Sequence, residues 1–237
     1  LMINRRDFIG ISAGIGATLS LTPRLLHALA QGQLIQRAIP STGEQIPVIG
    51  LGSSATFAQV ARAEDVTALR AVFQAMADRG ARVINASWGG APCSQTLART
   101  ISDLAAKNIV FVTAAGNSGV NLDEVPEYPA AFTGPTQITV GASTARGYTA
   151  AFSNFSYHYV HLFAPGAQIF STWPGGRTAS LSGTSMAAPF VSAAAALLIG
   201  KNPSLTAQQV RTALFKHVDP GNFAAATQGR LNVPNAL

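Results

Sequence analysis

The chain has 237 residues, of which 48% are hydrophobic and 11% charged, with a formal net charge of +6. That balance suits a well-buried α/β domain and excludes a disordered chain. Lys and Arg are scattered rather than clustered, which argues against a nucleic-acid partner, and a single cysteine, Cys93, excludes a disulfide framework or a Cys-based zinc cluster and reads as a small buried filler.

Residues 1–30 carry the order of parts expected of a targeting segment. Asn4-Arg5-Arg6-Asp7-Phe8-Ile9 is a twin-arginine pattern. An apolar run from Phe8 to Leu21 follows, broken by Gly10, Gly14 and Gly16. It is too short to span a bilayer stably. Ala28-Leu29-Ala30 supplies a small-x-small cleavage site before Gln31. Together they predict a signal peptide handled by the twin-arginine export machinery, and a bacterial protein sent to the periplasm or beyond.

Residues 31–81 read differently. Ser41-Thr42-Gly43 forms a turn, and Ile46 to Leu51 a short strand ending in Gly50-Leu51-Gly52. Val66, Leu69, Val72, Phe73 and Met76 recur at helical spacing over 64–79, with Gly80 as the C-terminal cap. Val83-Ile84-Asn85-Ala86 predicts a buried strand. The stretch 37–53 resembles the start of an aldo/keto reductase, which would imply NADP. In that family the strand is followed by a catalytic Asp and then a Tyr, but this chain has Asn85 and no Tyr. One strand and one helix cannot close an eight-stranded barrel.

From Ala86 onward another pattern takes over. Ala86-Ser87-Trp88-Gly89-Gly90 precedes an amphipathic helix over Gln95 to Lys107. A strand from Ile109 to Thr113 leads into Ala114-Ala115-Gly116-Asn117. Strand, helix and strand over this length predict a right-handed parallel unit. Tyr128-Pro129-Ala130, Ile138 to Ala142, Phe152-Ser153-Asn154 and Phe163-Ala164-Pro165-Gly166 follow in order. Then comes Gly183-Thr184-Ser185-Met186-Ala187-Ala188-Pro189, with a small-residue helix from Phe190 to Leu198 behind it. A serine at a helix N-terminus has unpaired N–H groups and a positive dipole end beside it. Thr206-Ala207-Gln208-Gln209 predicts a capping box, and Val210, Leu214 and Val218 the buried stripe of the last helix.

Residues 82–219 on these motifs resemble the subtilisin-like serine peptidases, the subtilases. The resemblance implies an α/β fold, a three-layer αβα arrangement around a mostly parallel sheet, incomplete in its N-terminal half. It implies Ser185 as nucleophile and Asn117 as oxyanion donor. Ser87, Trp88 and Gly89 would form one wall of the substrate cleft, and Ala114, Ala115 and Gly116 the other. A peptide or protein would lie between them as an added strand. The expected state is a monomer without cofactor or metal ligand. The family often has an Asp, sometimes tied to calcium, where this chain has His161.

Acyl transfer by serine also needs a base and an orienting acid. The Asp-Ser/Thr-Gly and His-Gly-Thr-His segments of the family are missing. Of four histidines, His27 lies in the signal, His217 in the last helix, and His158 and His161 read as residues of a strand after Asn154. Three readings follow. One is a subtilase catalytic portion at 82–237 behind a reductase-like 31–81, joined somewhere in 54–85 and nearly inert by itself. The second is an exported NADPH-dependent reductase fragment. The third is a peptide-binding pseudo-protease or an artefactual fusion.

Overall fold

The computed structural model describes residues 36–38, 43, 45–47, 67–90 and 92–237. The expected signal, most of the reductase-like stretch 37–53 and the first part of the join region 54–85, up to residue 66, lie outside them. The chain divides into two units, Leu1–Gly52 and Ser53–Leu237. In the first, β1 (Gln36–Ala38) and β2 (Gln45–Pro47) form an antiparallel pair with Arg37 opposite Ile46.

The second unit begins with α1 (Thr67–Asp78). Its predicted stripe is its packing face, since Leu69, Val72 and Phe73 are buried. Gly80 ends it at φ 79°, the left-handed cap position, and the Ala81 N–H reaches back to the Met76 carbonyl at 3.0 Å. Three strands follow: β3 (Val83–Ala86), β4 (Val110–Ala114) and β5 (Gln137–Ser143). Between the first two runs α2 (Gln95–Ala106), capped by the Ser94 hydroxyl on the Leu97 N–H. Next come β6 (Leu162–Pro165) and a hairpin of β7 (Ile169–Trp173) and β8 (Arg177–Leu181). The chain closes with α3 (Thr184–Lys201), α4 (Ala207–Lys216), β9 (Asp219–Pro220), β10 (Gly229–Arg230) and the short α5 (Val233–Ala236).

The main sheet has the order β3-β4-β5-β6-β10-β9. All neighbours are parallel except β10 with β9. Every residue of β4 and β5 is buried, as expected of parallel strands covered on both faces. On one face Leu69 and Phe73 of α1 and Leu97, Ile101 and Leu104 of α2 pack on Ile84, Ala86 and Phe111. On the other, Ala187, Val191, Ala194 and Leu198 of α3 pack on Val112, Ile138, Val140 and Leu162. The predicted three layers are therefore present. Gly141 lets β5 and β6 carry this packing, because a Cβ there would lie 2.5 Å from the Phe163 ring.

Two local expectations change. Asn85 is exposed, and β3 is only half buried; among the described residues β3 is the end strand of the sheet. Residues 157–159 form a turn rather than a strand. The Ser156 hydroxyl takes the N–H groups of His158 and Tyr159 at 2.9 and 2.8 Å, offering the backbone a partner other than a neighbouring strand. α4 carries the predicted capping box, with Thr206 and Gln209 bonded reciprocally. Among the described residues, α3 has the length and mean hydropathy of a membrane span; here it packs on the sheet.

Candidate active site

The helix α3 begins one residue before Ser185, so the serine sits in its first turn, between a Thr184 N–H bonded to the Asn117 side chain and a Met186 N–H bonded to the Gly183 carbonyl. The same helix contains Pro189. A proline four residues on has no N–H for the Ser185 carbonyl. The Ser87 hydroxyl fills that place, donating to the Ser185 carbonyl at 3.0 Å. The Ser185 hydroxyl returns the contact, donating to the Ser87 carbonyl at 3.1 Å. Asn85 supports this clasp by donating to the Ser87 hydroxyl at 2.8 Å.

Asn117 lies just past the end of β4, in a loop shaped by Gly116 and Asn154. Gly116 adopts φ 105°, and a Cβ there would come within 2.4 Å of both the Asn154 and Glu127 side chains. Asn154 is fully buried. Its side-chain oxygen accepts the N–H groups of Ser118 and Val120, and its amide donates to the Ala115 carbonyl. The amide of Asn117 is oriented from the other side. Its oxygen accepts the Thr184 N–H at 2.8 Å and the Thr184 hydroxyl at 2.9 Å. The Thr184 hydroxyl in turn accepts the Gly116 N–H at 3.1 Å. With the oxygen thus occupied, Asn117 turns its NH₂ group away from Thr184 as a donor.

A cleft of about 130 Å³ collects these parts. Trp88, Gly89, Ala114, Ala115, Gly116, Asn117 and Ser185 all line it. Ser87 meets the site through its carbonyl on the Ser185 hydroxyl. Glu127, Ala130 and Thr184 also line the cleft and were not singled out from the sequence. Thr184 was within reach of sequence reasoning, inside the serine heptapeptide. Glu127 comes from a loop that no local pattern connects to the cleft. Its carboxylate accepts the Ser118 hydroxyl at 2.8 Å. Cys93 corrects its buried-filler reading, because it is exposed in the loop that leads into α2. Burial, then the hydrogen bond and charge of this thiol, push the Tyr128 phenol above its usual range.

The described histidines are engaged elsewhere. His158 Nδ1 pairs with Asp123 at 2.7 Å, and His217 Nδ1 lies 2.8 Å from the Ala213 carbonyl. The His161 ring is buried under Phe215, and its Nδ1 accepts the Thr139 N–H at 2.9 Å. Desolvation, then the nearby Arg211 charge, lowers its pKa to about 3. Among the described residues no cluster of three or more His, Cys, Asp or Glu is placed to hold a metal.

The three-layer αβα fold thus places a serine in the first turn of its central helix and an amide group just past the end of an adjacent strand. The subtilase family model matches residues 50–232, and the chain belongs to that family. The match begins well before residue 82, where the resemblance in the sequence begins. Subtilisin DY from Bacillus licheniformis is 41% identical over 136 residues, 57% of this chain and 48% of that protein. Subtilisin BL from Lederbergia lenta is 33% identical over 188 residues, 77% of this chain and 68% of that protein. Among solved structures, the self-cleaved protease domain of PatA is 34% identical with a TM-score of 0.62, covering 71% of this chain and 65% of that one. A cold-adapted subtilisin-like serine proteinase is 32% identical with a TM-score of 0.61, covering 71% and 60%. The chain thus spans about half the length of Subtilisin DY. The reductase resemblance gains no support from these relatives.

Proposed function

We propose that this chain is the nucleophile-bearing portion of an exported subtilisin-like serine endopeptidase. Ser185 would attack the scissile carbonyl. The Asn117 amide and the Ser185 N–H would stabilise the oxyanion, and the cleft walls would hold the peptide as an added strand. The observation that carries this reading is the fixed Asn117 amide beside Ser185, with its oxygen tied to Thr184.

The chain by itself is proposed to be a very weak catalyst. The Ser185 hydroxyl donates to a main-chain carbonyl, and no described histidine bonds to it. In a subtilisin, removing serine or histidine costs on the order of 10⁶ in turnover, a measured figure for that enzyme and not one deduced from this chain. Export by a twin-arginine signal, the join with a reductase-like segment and the monomeric state belong to the same proposal. The test is incubation with a denatured protein and, separately, a fluorophosphonate probe. No measurable cleavage and slow labelling that Ser185→Ala abolishes are expected. Labelling unaffected by Ser185→Ala would overturn the site, and robust cleavage would overturn the claimed weakness.

A further inference from the structure

Ser185 is held on both sides along the chain. Before it, the Thr184 N–H is bonded to the Asn117 side chain at 2.8 Å. After it, its own carbonyl accepts the Ser87 hydroxyl at 3.0 Å, in the place that Pro189 leaves without an N–H. A serine hydroxyl has a single proton to give, so this second hold lasts only while Ser87 points that proton at α3. Two further side chains bear on where it points. The amide nitrogen of Asn85 donates to the Ser87 hydroxyl at 2.8 Å. Ser87 therefore accepts from Asn85 and is left to donate to Ser185. The amide oxygen of Asn85 accepts the Ser192 hydroxyl at 2.8 Å. A helical serine more usually bonds back to the carbonyl one turn before it. Ser192 has that contact too, with Ala188, but at 3.2 Å it is the longer of the two, and the Asn85 contact has the usual length of a hydroxyl bond.

We propose that Ser192 and Asn85 are positioning residues for Ser185, acting through Ser87. Ser192 fixes which end of the Asn85 amide faces Ser87, and that end sets the direction of the Ser87 proton. The donors run one way, from Ser192 to Asn85, from Asn85 to Ser87, and from Ser87 to the Ser185 carbonyl. With the amide reversed, its oxygen would draw the Ser87 proton to itself. The Ser185 carbonyl would then lose its side-chain partner, and the first turn of α3 one of the two holds on the serine. The Ser185 hydroxyl, which donates to the Ser87 carbonyl at 3.1 Å, would lose the fixed geometry of that contact. Ser192 thus acts on Ser185 from about two turns further along the same helix, by way of a strand. That Ser185 is a nucleophile rests on the peptidase reading; the direction of the relay does not.

The test uses the full chain and two readouts, the ¹³C shift of the Ser185 carbonyl and the rate of fluorophosphonate labelling at Ser185. Ser192→Ala removes the donor to Asn85, and Asn85→Asp puts an acceptor where the amide nitrogen was. Each should move the Ser185 carbonyl signal upfield, the direction of a lost hydrogen bond. Each should also slow labelling about tenfold, less than the roughly 10² that a misplacement of about 1 Å can cost. Ser192→Thr keeps the hydroxyl and should return both readouts to those of the parent chain. A carbonyl signal that stays in place in Ser192→Ala and Asn85→Asp would overturn the relay, and so would a Ser192→Thr signal that matches Ser192→Ala. A shifted signal with undiminished labelling would show that the relay does not position the nucleophile, and the proposal would fall. Labelling that survives Ser185→Ala would count instead against the peptidase reading and leave the relay to stand on its carbonyl signal.

Discussion

Thr184 holds the amide of Asn117 with both its N–H and its hydroxyl, and that hydroxyl also satisfies the Gly116 N–H. Thr184→Val keeps the shape and one of the three bonds. It should lower unfolding free energy by about 2 kcal/mol, for a lost bond and a stranded donor. The Asn117 side-chain amide signal should also broaden or shift in a ¹H–¹⁵N spectrum, while Thr184→Ser leaves it in place. An unchanged signal in the valine variant would show that Thr184 does not orient the amide. Glu127 makes the cleft acidic at one wall. Peptides ending their cleft-bound side chain in an ammonium should bind better than their norleucine counterparts. Glu127→Gln should remove that preference, a change of about fivefold, the worth of a partly exposed charge pair. Titration followed by the fluorescence of Trp88, which lines the cleft, reads this directly.

Elements place these residues through their ends. The nucleophile lies at the start of α3, the amide at the end of β4, and one cleft wall at the end of β3. Parallel strands all finish on one side, so residues distant in sequence collect there. The spacing of β5 and β6 depends on Gly141. Gly141→Ala drives a methyl group to within 2.5 Å of the Phe163 ring, which is stacked on Phe223 with ring centroids 5.0 Å apart. Overpacking of this kind costs about 1–3 kcal/mol. Urea unfolding should show that loss, and a midpoint equal to the parent chain would mean the ring moves freely.

For the molecule as a whole, His161 ties three elements together. It precedes β6, accepts the Thr139 N–H of β5 and stacks on Phe215 of α4, over which Arg211 sits at 4.4 Å from the ring centroid. The fold requires the neutral ring, so its pKa drops from 6.5 to about 3. The unfolded chain takes up a proton near pH 6.5 that the folded chain refuses until about pH 3. Stability from this group is therefore complete above pH 6.5 and is lost as pH falls towards 3. By pH 4 the loss is roughly 3 kcal/mol. His161→Asn keeps an acceptor for Thr139 and cannot be protonated. Urea unfolding at pH 7.5 and pH 4 should show the parent losing more stability than the variant. Equal losses would show that His161 does not set the acid response.

The sequence by itself determined the α/β class, the order of β3, α2, β4 and β5, and the capping box of α4. Each rests on local chemistry, such as a capping hydroxyl or an apolar run, which neighbouring residues decide among themselves. Only the tertiary structure decided that Ser87 replaces the missing Pro189 N–H, that Thr184 aims Asn117, and that Glu127 enters the cleft. It also turned the predicted strand around His158 into a turn and put the His161 ring into a main-chain hydrogen bond. Asn85 and Phe190 show the limit most plainly. Their local pattern is that of buried residues, but burial depends on what lies alongside, and both are exposed among the described residues.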